Sequence, residues 1–265
     1  MAWWGKALGG AFGFMIGGPL GALMGIAFGH NFDRGLNSID ERGWQDKPGD
    51  NERTQAAFFT ATFSVMGYIA KADGRVTADE IRLAEGVMDR LGLNAEMRES
   101  AKKLFGEGKA DGFPIDQVIN QFKKEVRRRT TLIQIFLEIQ LQAAYADGVM
   151  HPSEEKALAH ICQKLGIALS QLKRLEEMLR AGFGNTDYRQ SAGSSKTTLQ
   201  DAYMILGVDS SASDAELKKA YRRLMSQHHP DKLVAKGLPE EMIKDATAKT
   251  QKIKSAYDRI RESRG

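Results

Sequence analysis

The side chains best equipped for chemistry sit in one short stretch near the C-terminus, Gln227-His228-His229-Pro230-Asp231-Lys232. An imidazole and a carboxylate two residues apart, with a proline fixing φ between them, put a donor or base and a charged acceptor into a stiff turn. Two chemistries fit such a pair: proton transfer at a reacting centre, or a polar contact with another molecule. Proton transfer needs companions, and the sequence supplies His229 with no nucleophile, metal-ligand cluster or phosphate loop. The turn therefore reads as a contact, with no catalytic residues and no cofactor, and the chain is not expected to be an enzyme. Upstream, Lys218, Lys219, Arg222 and Arg223 place four cations on one side of a predicted helix. They form two like-charge i,i+4 pairs, which repel within the free helix and favour an acidic surface opposite it.

Two helices must hold this turn. The first opens on a capping box, Ser213-Asp214-Ala215-Glu216, and Leu217, Ala220, Tyr221 and Leu224 follow at i, i+3, i+4 and i+7, which defines one buried face. After a loop containing Gly237 and Pro239, Ile253, Ala256, Tyr257 and Ile260 repeat that spacing. Two amphipathic helices on either side of a loop pack antiparallel and leave the turn at an exposed tip. A shorter helix, Asp201-Ala202-Tyr203-Met204-Ile205-Leu206, closed by Gly207, precedes them. Residues 199–265 carry 13 Lys and Arg against 10 Asp and Glu, and the excess falls on the middle helix.

Tyr203 with Leu206-Gly207-Val208, the basic helix with Tyr221-Arg222, His229-Pro230-Asp231-Lys232, and Gln251-Lys252-Ile253 with Ala256-Tyr257 stand in the order in which the J-domain of DnaJ co-chaperones has them. The segment resembles that family. The resemblance implies docking on a DnaK-type chaperone and stimulation of its ATP hydrolysis, with His229, Pro230 and Asp231 as the essential triplet and Lys218, Lys219, Arg222 and Arg223 as the electrostatic contact. General chaperones of that family also have a Gly/Phe-rich segment and a cysteine-rich zinc domain, and this chain has neither. Broad client holding is therefore not expected.

The opposite end of the chain is apolar. Residues 7–28 are 22 positions without a charge, bounded by Lys6 and by Asp33 and Arg34. As a helix this run is about 33 Å long, enough for a hydrocarbon core of about 30 Å. Trp3 and Trp4 stand where an interfacial aromatic belt would. A cleaved signal peptide is the alternative. The run exceeds a typical signal core and no disulfide set follows, both of which favour an uncleaved anchor. Through and just beyond it Gly5, Gly9, Gly13, Gly17, Gly21, Gly25 and Gly29 recur every four residues. Glycine is common in membrane helices, but small residues at this interval also let two helices approach closely. Gly9, Gly13, Gly17, Gly21 and Gly25 are the candidate interface of a homodimer, with Pro19 able to confine the contact to one half.

Between the two ends the pattern is helical, without convincing strand alternation, and it repeats itself. Ala72-Asp73-Gly74 returns as Ala146-Asp147-Gly148, and Leu91-Gly92-Leu93 as Leu165-Gly166-Ile167, both at an offset of 74 positions. Each copy has an apolar helix, an Ala-Asp-Gly turn and a second helix ending in Leu-Gly. Thr77-x-x-Glu80 caps the second helix of the first copy, and Pro152 with Glu154 stands at the matching start in the other. Asp73, Asp79, Glu80, Asp147, Glu154 and Glu155 could be read as metal ligands. They lack the carboxylate spacing of a calcium loop, and caps and turns account for them, so no metal is expected. Residues 55–182 resemble the TerB-like helical domain, which implies an interaction module with an open ligand. Lys123, Lys124, Arg127, Arg128 and Arg129 read as a solvated face, with anionic headgroups as the competing partner. Cys162, the lone cysteine, lies in an apolar helical pattern and reads as a small core residue.

The expected architecture is thus all-α: a short N-terminus (1–6), one transmembrane helix (7–29), a juxtamembrane linker (30–52), a TerB-like helical bundle (53–182), a Gly/Ser-rich tether (183–198) and a C-terminal J-domain helical hairpin (199–265). A formal charge of +4 over 265 residues does not call for nucleic acid. The whole layout is similar to membrane-anchored J-domain co-chaperones. That resemblance implies a single-pass protein of the bacterial inner membrane, a short N-terminus in the periplasm, the bulk of the chain in the cytoplasm, and a link to envelope-stress or capsule signalling. The competing reading is a membrane scaffold that binds anionic lipid or nucleic acid, with a degenerate J-domain.

Overall fold

A computed structural model describes residues 18–23, 25, 50–126, 129–181, 198–230 and 240–264. The described residues are helical with turns and contain no strand, so the fold class is all-α. They divide into two compact units, Met1–Gly166 and Ile167–Gly265.

The first unit is built on α1 (Asp50–Ala70). Phe58, Phe63, Val65, Met66 and Ile69 of this helix are buried, and so are Thr60, Thr62 and Ser64 between them. A helix covered on all sides has no need of an apolar stripe, which is why α1 reads as a broad run. Around it pack α2 (Ala78–Arg90), α3 (Ala95–Gly108), α4 (Ile115–Val126), α5 (Thr130–Ala144) and α6 (Pro152–Leu165). The α1–α3 crossing is unusually close. A Cβ at Gly67 would lie 2.0 Å from the Phe105 carbonyl oxygen, and one at Gly108 would lie 1.8 Å from the Ser64 carbonyl oxygen. Only glycine lets the two backbones touch here. Phe122 of α4 meets Phe58 and Phe136 of α5 at ring separations of 6.4 and 4.7 Å. Cys162 is buried in α6, and burial pushes its thiol up to about 11, which leaves it a core residue.

The internal duplication is visible in the helix starts. Gly74 and Gly148 leave α1 and α5 with φ of 90° and 95°, a conformation that favours glycine. Glu80 then accepts from the Thr77 amide at 2.6 Å, and Glu154 accepts from the His151 amide at 2.8 Å. In the second copy the cap itself is His151, whose Nδ1 accepts from the Ser153 amide at 3.4 Å.

The second unit contains α7 (Leu169–Arg180), α8 (Leu199–Leu206), α9 (Asp214–His228) and α10 (Glu240–Arg264). Its core joins Ala202, Ile205 and Leu206 of α8, Leu217 and Leu224 of α9, and Ile253, Ala256 and Ile260 of α10. Met178 of α7 and Ala181 just beyond it belong to the same buried cluster. Arg174 lies alongside, since a Cβ at Gly207 would meet its Cδ at 3.1 Å. The last amphipathic helix before the tether is therefore a wall of this C-terminal core.

Of the apolar N-terminal run, a helical piece at residues 18–23 is described, together with residue 25. Leu20 and Leu23 are buried, and the Leu20 amide donates to Gln121 Oε1 of α4 at 2.8 Å. No helix among the described residues is long and apolar enough to cross a membrane. Gly21 and Gly25 fall in this piece, half-buried, whereas Gly9, Gly13 and Gly17 lie outside the described residues.

Candidate functional site

The tip of the second unit is set by α9. The Ser213 side chain accepts from the Glu216 amide, and Glu216 returns a bond to the Ser213 amide at 2.8 Å, closing both ends of the capping box. The Ser213 donors also hold the Glu216 carboxyl below its usual range. At the other end the helix stops at His228 because Pro230 disfavours helical backbone in the residue before it. His229 accordingly takes φ −65° and ψ 124°, an extended conformation. The two histidines thereby part company: His228 is 1% exposed, while His229 faces solvent beside the half-buried Pro230. Asp231 of the triplet, like Lys232, lies outside the described residues.

Lys218, Lys219, Arg222 and Arg223 are exposed along the same helix, opposite the buried Leu217, Ala220 and Leu224. They are not equivalent. The Arg223 guanidinium is pushed down from its ordinary value, first by partial burial and then by the charge of Arg174 on α7. Lys218, Lys219 and Arg222 form the open part of the basic face. Behind it, the Tyr221 and Tyr257 rings stack at 4.3 Å and 20°, which fixes the rotation of α9 against α10.

A second fixing point escapes any reading by motif. Arg264, near the end of α10, donates to Asp214 at 2.7 Å, to the Tyr203 hydroxyl at 3.0 Å and to the Ser210 carbonyl at 3.3 Å, and lies over the Tyr203 ring. One guanidinium fork thus ties α8, α9 and α10 together. Its position among the last residues of the chain gave no signal of this.

In the first unit the acidic turns converge. Glu80 and Glu154 are buried and share one neighbourhood with Asp73 and Asp147, so both repeats contribute to a single acidic locus. Burial, followed by the charges of Glu80, Asp73 and Asp147, pushes the Glu154 carboxyl up to about 7. Among the described residues no three His, Cys, Asp or Glu are grouped so as to hold a metal ion. Of the basic run, Lys123 donates to the Lys164 carbonyl at 3.0 Å, and Arg127 and Arg128 lie outside the described residues.

Comparison with known proteins matches this layout segment by segment. Residues 1–39 match the Co-chaperone DjlA transmembrane domain, residues 59–177 Tellurite resistance protein TerB, and residues 201–264 the DnaJ domain. Co-chaperone protein DjlA of Photobacterium profundum is 43% identical, with 99% of both chains covered. The chain belongs to the DjlA co-chaperone family. Its relatives in that family include Co-chaperone protein DjlA of Yersinia pestis, 44% identical over 100% of this chain and 99% of the relative, and that of Coxiella burnetii, 43% identical over the same shares. No solved structure matches the chain. DjlA membership makes the protein a J-domain co-chaperone with a membrane-anchoring segment at its N-terminus and a TerB domain between. The family role calls for a partner chaperone of the Hsp70 class, and the exposed tip of α9 is the candidate surface for it.

Proposed function

We propose that the protein recruits a DnaK-type chaperone to the bacterial inner membrane and accelerates its ATP hydrolysis through His229, Pro230 and Asp231. The observation that carries this reading is the position of His229. It stands exposed where α9 ends, on the same helix as the open cations Lys218, Lys219 and Arg222. A basic face steers an acidic partner into register, and the stiff His-Pro turn then makes the directional contact. No proton or electron moves at this end of the molecule. Its chemistry is binding, and the rate it changes belongs to the partner's active site.

The remaining parts follow the same reading. The anchor at 7–29 is single-pass, with residues 1–6 in the periplasm and the cytoplasmic bulk beyond the linker at 30–52, because the partner and its ATP are cytosolic. Gly9, Gly13, Gly17, Gly21 and Gly25 pair two anchors, so that J-domains (199–265) are presented in twos. The central TerB domain selects clients or partners, and the process served is envelope-stress or capsule signalling.

Single-turnover ATP hydrolysis by DnaK, with the full chain in nanodiscs, tests the central step. Stimulation that His229→Gln removes is the expected result. Stimulation that survives His229→Gln, or none from the unaltered chain, would sink it. Retention on anionic vesicles without DnaK engagement would favour the scaffold reading instead.

A further inference from the structure

We propose that the central unit carries a binding site for a phosphate group, held by Lys71, Lys109 and Lys156. The site is a cleft of about 550 Å³ at the ends of four helices: the C-terminal ends of α1 and α3, the N-terminal end of α4, and the face of α6. That volume lies within the range of small-ligand pockets, about 300–1,000 Å³. Neither the J-domain contact nor the membrane anchor uses any residue that lines it.

The close crossing of α1 and α3 builds the cleft. Gly67 and Gly108 bring the two backbones into contact, and Lys71 follows one turn after Gly67 while Lys109 directly follows Gly108. Lysines from two different helices therefore line one opening, and Lys156 of α6 lines it from a third. Among the described residues none of the three is ion-paired with a carboxylate. Lys71 donates only to the Gly74 carbonyl, at 3.1 Å, and Lys109 lies over the Phe105 ring at 5.4 Å. A single carboxylate, Asp111, lines the cleft against them.

The neighbouring cations show that this is not a general shortage of acids. Asp116, just below, engages both Lys164 at 2.5 Å and His160 Nε2 at 2.6 Å. His160 lines the cleft with its ring thereby oriented, while the three lysines that line it have no carboxylate partner among the described residues. Three lysines lining one cleft against a single aspartate are best satisfied by a ligand of more than one negative charge. A phosphomonoester dianion meets that need, and a single carboxylate does not. The aromatic side of the cleft, Tyr68 tilted against Phe113 at 5.9 Å, offers an apolar wall to whatever carries the phosphate.

The phosphate could arrive on a soluble ester or on a lipid headgroup, and the test separates these. The full chain in phosphatidylcholine nanodiscs is titrated with pyrophosphate, and in parallel is reconstituted with phosphatidic acid. Hydrogen exchange is followed in peptides covering residues 68–75, 107–114 and 150–160. Saturable protection of these three peptides is expected in at least one arm. Lys71→Gln, Lys109→Gln and Lys156→Gln should each weaken it about tenfold, and Lys102→Gln, an exposed lysine of α3 outside the cleft, should leave it unchanged. Protection by pyrophosphate identifies a soluble source, and protection by phosphatidic acid alone identifies a headgroup. No saturable protection in either arm overturns the proposal. So does an equal loss in Lys102→Gln, or protection that survives in the triple Gln variant with its melting curve intact.

Discussion

The placement of α7 makes the sharpest structural prediction. Met178 is 4% exposed, and its cluster mates are Ala202, Ile205 and Leu206 of α8 rather than any residue of α1 to α6. Met178→Ala should therefore damage the C-terminal unit alone. Truncating a buried methionine costs about 2–5 kcal/mol, and a position at the edge of a core, able to collapse partly, falls near 3 kcal/mol. Each kcal/mol shifts the midpoint of a unit of about 100 residues by about 4–8 °C, so a fall of roughly 12–24 °C is expected. Hydrogen exchange on the full chain reads this by segment. Slow amides of α8, α9 and α10 should exchange roughly a hundredfold faster, while those of α1, α3 and α5 keep their rates. Acceleration in α1 and α5 with α8 to α10 unchanged would show that α7 belongs to the central bundle, and would refute the reasoning.

Three further outcomes follow from other contacts. Gly67→Ala or Gly108→Ala should destabilise the central unit by at least about 3 kcal/mol in thermal unfolding. The new Cβ meets a backbone oxygen that no side-chain rotation can move aside. For Glu154, raised to about 7, the folded state holds a proton that the unfolded state has already released above its ordinary value of 4.5. Stability of the central unit should therefore fall as pH rises from 4.5 to 7, by about 1–3 kcal/mol once screening is allowed for, and Glu154→Gln should flatten that slope in denaturant titrations. Association with DnaK should weaken as salt rises, chiefly through the on-rate, and Arg222→Ala should reduce both the rate and its salt dependence in stopped-flow measurements.

The helices of α9 and α10 were legible because local rules and global packing agree there. The Ser213 box starts α9, Pro230 stops it, and Leu217, Ala220 and Leu224 are buried as the spacing requires. The same holds for Thr77 with Glu80, whose reciprocal bonds are contained within four residues. What the sequence concealed depends on partners far along the chain. The amphipathic stripe of α7 announces a buried face but not what covers it. Nothing in Gly67 distinguishes a helix crossing from a tolerated glycine until Phe105 is beside it. His151 as a cap was hidden by the more conspicuous Pro152, and Arg264 shows its fork only when Tyr203, Asp214 and Ser210 are brought to it.

The basic face of α9 illustrates how a binding helix is kept folded against its own charges. Lys218 with Arg222 and Lys219 with Arg223 each cost the isolated helix about 0.2–0.5 kcal/mol, and Arg174 adds a further like charge near Arg223. The Ser213 capping box, the Tyr221–Tyr257 stack and the Arg264 fork at Asp214 all lie outside the open cations, and together they outweigh that cost. An acidic partner reverses the sign of the penalty without any change of helix conformation. On the proposed docking, the interaction needs no induced folding of α9, and its affinity is tuned by charge and salt while His229 supplies the directional contact.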